Sequence, residues 1–158
     1  MAAGLLARMG HLPPADRRLL AGAWICLAAM PLALALLPFR RLLDWAEGGA
    51  ARRRVNEAPA PERAAALVAA AARYHLVPTT CLARALVLCR LLRRLGHPAR
   101  LVLGGARGRR SFEAHAWVAC GSLALTAGGP VDRFEPLLGA AVEPPARGKA
   151  TSTHEDGV

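Results

Sequence analysis

A run of uncharged residues at 19–38, LLAGAWICLAAMPLALALLP, dominates the hydrophobic pattern in the first third of the chain. As a helix it would span roughly 30 Å, about the hydrocarbon thickness of a bilayer. Arginine pairs flank it, Arg17-Arg18 before and Arg40-Arg41 after, so the positive-inside bias assigns no orientation. Pro31 interrupts the run, removing a backbone donor and crowding the preceding turn. The pattern therefore predicts two shorter apolar helices, buried or facing a partner, in preference to a membrane span. Membrane contact through 19–38 stays open as an alternative. The short basic start and small-residue cleavage site of a signal peptide are missing.

The stretch AEGGAARRRVNEAPAPE at 46–62 reads as a polar linker. PERAAALVAAAARYHL then predicts a helix, with Pro61 and Glu62 suited to its first turn, and Val77-Pro78 breaks it. VPTTCLARALVLCRLL predicts the next helix, from about 81 to 95, with Gly96 as its stop. Its only charges are Arg84, Arg90, Arg93 and Arg94, so most of its surface must be buried and it takes the central place. Beyond it the period shortens. PARLVLGG, FEAHAWVACG and SLALT read as strands, linked by the polar loop GARGRRS and a turn at Cys120-Gly121-Ser122. From Gly139 onward the composition is that of a frayed tail. The predicted class is α+β, with a central cysteine-bearing helix packed on a small antiparallel sheet. The implied division is an apolar helical segment at 1–50, a core at 51–138 and a tail at 139–158.

A chain of 158 residues supports one ordinary core. With 54% hydrophobic and 20% charged residues it is no disordered segment. The net charge of +10 is almost wholly arginine, since Lys149 is the sole lysine. No aromatic residues interleave with the arginines, so a base-stacking platform for nucleic acid is disfavoured. A solvated basic surface or an acidic peptide partner fits better. Cys26, Cys81, Cys89 and Cys120 form no CxxC pair and match neither a disulfide framework nor a zinc pattern. Reduced thiols and a cytoplasmic location follow, with no metal or cofactor called for.

Cys81 is the thiol placed for chemistry. Thr79 or Thr80 is a competent N-cap, which leaves Cys81 in the first turn. There the helix dipole and unpaired N–H groups favour a thiolate, and the same N–H groups could hold an oxyanion. A small buried hydrophobe is the plain alternative. In EAHAWVAC, alternation sets His115, Trp117 and Ala119 on one strand face and Ala116, Val118 and Cys120 on the other. His115 has few local polar partners, so a thiolate from elsewhere in the fold suits it. A histidine satisfied by backbone is its plain alternative. His11, His75, His97 and His154 read as structural or solvated.

A cysteine opening a central helix, followed by a strand reading H-A-W-V, resembles the transglutaminase-like, papain-related thiol enzymes. More narrowly, CLARALVLCRLLRRLGHPARLVLGG followed by FEAHAWVACG resembles the leader peptidase of lasso-peptide biosynthesis, here without a fused leader-recognition half. The 17–43 segment RRLLAGAWICLAAMPLALALLPFRRLL is similar to that family's apolar helical start. The resemblance implies cleavage of a ribosomal precursor between leader and core. A separate leader-recognition protein delivers the substrate, and an ATP-dependent asparagine-synthetase-like lasso cyclase follows. It makes Cys81 the nucleophile and His115 the general base, then acid. Arg84 could help hold the thiolate or a substrate carbonyl, or be a packing arginine.

The sequence departs from the pattern twice. It contains no glutamine, so the oxyanion donor would be the Cys81 N–H, with a Thr79 or Thr80 hydroxyl. The strand after the histidine, where that family usually carries an orienting aspartate, has none in SLALTAGG. Asp132 in GPVDRFEPL is the leading carboxylate if the chain folds back beside the His115 strand, and a loop aspartate paired with Arg133 or solvent otherwise. Thr126 is the alternative orienter. Two other functions remain open, a transglutaminase-like acyl transferase and a non-catalytic membrane-associated scaffold.

Overall fold

The computed structural model describes residues 12–48, 59–108, 111–126, 131 and 133–139. Four helices, α1 (Pro14–Leu36), α2 (Phe39–Glu47), α3 (Pro61–Arg73) and α4 (Cys81–Arg94), precede four strands. The strands are β1 (Ala99–Arg107), β2 (Phe112–Cys120), β3 (Leu123–Leu125) and β4 (Glu135–Leu138). They form one antiparallel sheet in the order β3-β2-β1-β4. The fold is α+β.

The central helix is α4, in contact with α1, α2, α3, β1 and β2. Ala83, Ala85, Leu86, Val87, Leu88, Cys89, Leu91 and Leu92 are all buried, so the helix is covered nearly all round, as its few charges foretold. Burying each such leucine contributes about 1.5–3 kcal/mol. At its end Gly96 takes a φ of 90° and the His97 N–H donates to the Leu92 carbonyl at 2.9 Å, a glycine-based stop. The Arg93 guanidinium reaches the Ala99 carbonyl at 3.2 Å, so α4 turns back directly into β1.

Polar contacts fix the outer helices. The buried Asp16 of α1 accepts from Arg63 of α3 through Nε at 3.0 Å and Nη2 at 2.9 Å. Arg90 of α4 donates to the Trp45 carbonyl at 3.1 Å and to the Gly48 carbonyl, satisfying acceptors that the end of α2 leaves open. Glu47 accepts from the Leu101 N–H at 2.9 Å, tying α2 to β1.

Strand alternation gives the sheet two apolar faces. Leu101, Ala116, Val118 and Cys120 join the helices in the main core. Val102, Trp117 and Ala119 form a second cluster, covered by Val131 and Phe134.

The structure differs from the sequence expectation at several points. Pro31 breaks nothing, and α1 runs through it as one helix. Leu27 and Met30 are buried on either side of the lost hydrogen bond, and that packing offsets a proline cost of about 3 kcal/mol. The break falls at Leu37, extended at φ −109°, ψ 138° ahead of Pro38. Ala46 and Glu47 belong to α2 rather than to the linker, while 49–58 lie outside the described residues. Ala106 and Arg107, read as loop, continue β1 beyond the predicted strand. A side chain at Gly104 would collide with the Trp117 ring, and one at Gly105 with Phe112, so these glycines admit aromatic rings onto the strand. β4 was not foreseen and pairs with the far side of β1. The tail from 140 lies outside the described residues.

Candidate active site

α4 begins at Cys81. Thr80, extended at φ −76°, ψ 160°, is its N-cap. Its Oγ1 accepts from the Ala83 N–H at 3.1 Å and its carbonyl from the Arg84 N–H at 3.1 Å. The first fills one of the four open N–H groups of the first turn, and the second is the first backbone bond of the helix itself. The N–H groups of Cys81 and Leu82 have no partner among the described residues, so two donors flank the thiol. Arg84 turns back on the preceding residues, donating from Nε to Thr79 Oγ1 at 2.8 Å and from Nη2 to the Thr79 carbonyl at 2.9 Å. It braces the approach to the helix at Thr79, immediately before the cap.

The other three thiols sit in surroundings that oppose ionisation. Burial, then the Glu47 carboxylate, pushes Cys89 up to about 12. Burial also raises Cys26 and Cys120 above the ordinary thiol value. Cys81 is half-buried against the main core.

His115 lies on β2 opposite Gly104. Its ring stacks on Phe134 with centroids 5.0 Å apart and stands 6.4 Å from that of Trp117. The imidazole therefore occupies the face of the second cluster, while Cys81 packs on the helix side. No hydrogen bond joins the two, and the buried Nε2 of His115 has no partner among the described residues. Desolvation, then the Arg133 cation, holds the His115 pKa below its usual value. The neutral imidazole is thus the favoured form, as a proton acceptor requires.

The chain after β3 does return to the His115 strand, since Val131 and Phe134 cover that face. Asp132 itself lies outside the described residues. Arg133 pairs with Glu113 at 2.6 Å and sits 4.8 Å above the Phe134 ring. Thr126 directly follows β3, one step beyond the Leu125–Val118 pair. Glu113, Arg133 and Phe134 were missed as neighbours of the histidine. Glu113 could have been found, because two residues along a strand restore the same face. For Arg133 and Phe134 no local signal exists.

Among the described residues no group of three or more His, Cys, Asp or Glu side chains could hold a metal ion. The family model described as the transglutaminase-like superfamily matches residues 26–139. The chain belongs to that superfamily, whose members are typically cysteine-dependent enzymes and include peptidases and acyltransferases. No curated protein and no solved structure matches it.

Proposed function

We propose that this chain is a cysteine peptidase that removes the leader from a ribosomally made lasso-peptide precursor in the cytoplasm. The observation that carries the thiol chemistry is Cys81 at the first position of the central helix, beside two N–H donors that are unpaired among the described residues and apart from three thiols that burial suppresses. The peptide specificity rests on the resemblance carried by CLARALVLCRLLRRLGHPARLVLGG and FEAHAWVACG.

In this reading His115 Nε2 takes the Cys81 proton as Sγ attacks the carbonyl at the leader–core junction. The Cys81 and Leu82 N–H groups receive the oxyanion. Collapse breaks the C–N bond, His115 returns the proton to the departing core amine, and a thioester to the leader remains. Water, deprotonated by His115, releases the leader as an acid and restores the thiol. The freed amine is the group a lasso cyclase needs. Asp132 is the proposed orienting carboxylate, with Thr126 as the weaker substitute.

Sγ and Nε2 must meet for this chemistry. The reading is supported by α4 turning directly into β1 and packing on it, an arrangement that favours the start of α4 and the end of the hairpin carrying Gly104 and His115 being neighbours. β3 covers β2 only from Val118 to Cys120. At His115 the strand is an edge among the described residues, and the proposed mechanism requires the imidazole and the N-terminus of α4 to come together around that edge. Catalytic hydrogen bonds commonly tighten only in the substrate complex.

Product analysis tests the proposal. Incubation of precursor with this chain and the separate recognition protein is expected to give free leader acid and free core amine. Transfer of the leader to an added amine, in preference to water, would instead assign the acyl-transferase chemistry also found in the superfamily.

A further inference from the structure

One side of α1 serves the core, and the other is left exposed by the described residues. Leu19, Leu20, Ala23, Leu27 and Met30 are buried, and Arg63 holds Asp16 at the first turn. On the opposite side Ile25, Ala28, Ala29, Leu32, Ala35 and Leu36 are exposed, with the spacing of a single helix face. Ile25 is 65% exposed, Leu32 64% and Leu36 71%. Leu37 and Phe39 extend the same apolar surface into the start of α2. A continuous exposed apolar strip of this kind marks an interaction surface.

Charge identifies what covers it. The strip contains no charged residue, and exposed arginines stand at both ends, Arg17 and Arg18 before it and Arg40 and Arg41 after it. A second copy of this chain would set arginines against arginines in either orientation. An anionic bilayer satisfies both parts, its acyl boundary taking the apolar side chains and its phosphates the guanidinium groups. α1 is also long and apolar enough to cross a membrane. Crossing would pull Leu19, Leu20, Ala23, Leu27 and Met30 out of the core and separate Asp16 from Arg63. We infer that α1 lies flat on anionic phospholipid and holds the domain on the membrane surface.

The test is co-sedimentation of the full chain with vesicles of phosphatidylcholine alone, or of equal parts phosphatidylcholine and phosphatidylglycerol. Two variants accompany it, the triple Ile25→Ser, Leu32→Ser, Leu36→Ser and the double Arg40→Gln, Arg41→Gln. All five positions are exposed, and circular dichroism checks that the fold is kept. The expected result is binding to the anionic vesicles alone, release by alkaline carbonate, and a loss of at least about tenfold in partitioning for each folded variant. The inference is overturned by absence of binding to anionic vesicles, by variants that bind like the parent, or by retention through the carbonate wash, which would mean a span. It is equally overturned if the strip forms a dimer or a protein complex while vesicles are ignored. None of these outcomes depends on peptidase activity.

Discussion

Replacing Thr80 separates what the cap does for the fold from what it does for the thiol. The Thr80 hydroxyl satisfies the Ala83 N–H at 3.1 Å, one of the open donors at the start of the helix on which the core is built. Thr80→Ala leaves that donor to water. Loss of a threonine cap costs about 1 kcal/mol, and the exposed setting of Thr80 places this case toward the lower end, because water can reach the freed N–H. For a chain of this size about 1 kcal/mol lowers the melting temperature by roughly 2–4 °C. Thr80→Ser should restore the parent value. Thr80→Asp should restore it too, since aspartate caps at least as well and its charge suits a helix N-terminus. The same carboxylate stands next to Cys81, however, and repels a thiolate. Thr80→Asp should therefore melt like the parent yet react with iodoacetamide at Cys81 several-fold more slowly. Thermal denaturation followed by circular dichroism, and timed alkylation read by peptide mass spectrometry, measure the two effects. An unchanged melting temperature in Thr80→Ala, or faster alkylation in Thr80→Asp, would refute the account of this helix start.

Iodoacetamide at neutral pH should label Cys81 first, while Cys26, Cys89 and Cys120 react only on unfolding, because burial raises all three. The lowered His115 pKa makes the folded chain bind fewer protons than the unfolded one as pH drops below the ordinary imidazole value of 6.5. That contribution to stability is present above 6.5 and is lost as pH falls through the folded value. Arg133→Gln removes a cation and frees the Glu113 carboxylate, so the His115 midpoint followed by NMR should move upward. Gly104→Ala should force the Trp117 ring and the second cluster apart, at about 1–3 kcal/mol, seen as a lower melting temperature and a weaker near-ultraviolet dichroism.

The parts of this molecule that were legible beforehand are those whose causes are local. Thr80 caps the helix because of its own side chain, Gly96 ends it because of its own backbone, and the alternation in HAWV places His115 with Trp117. Pro31 misled because burial of Leu27 and Met30 in a core shared with α3 and α4, far along the chain, decides whether the helix survives. Why the strand PARLVLGG ends in two glycines becomes clear only when the rings of Trp117 and Phe112 are seen lying over them. β4 contains a proline, is four residues long and is exposed throughout, so no hydrophobic period announces it. The stacking of Phe134 on His115 likewise depends on a crossing from one edge of the sheet to the other. Alternation tells which residues share a face with His115. It does not tell on which side of the sheet α4 packs, and that is why the separation of Cys81 from the imidazole emerges only from the fold.

The most direct measurement of the central claim is mass spectrometry of the precursor after incubation with the recognition protein and the parent chain, Cys81→Ala or His115→Ala. The parent should release the leader, both variants should leave the precursor intact, and both should melt within a few degrees of the parent. Leader release by a folded Cys81→Ala chain would contradict the proposed mechanism outright.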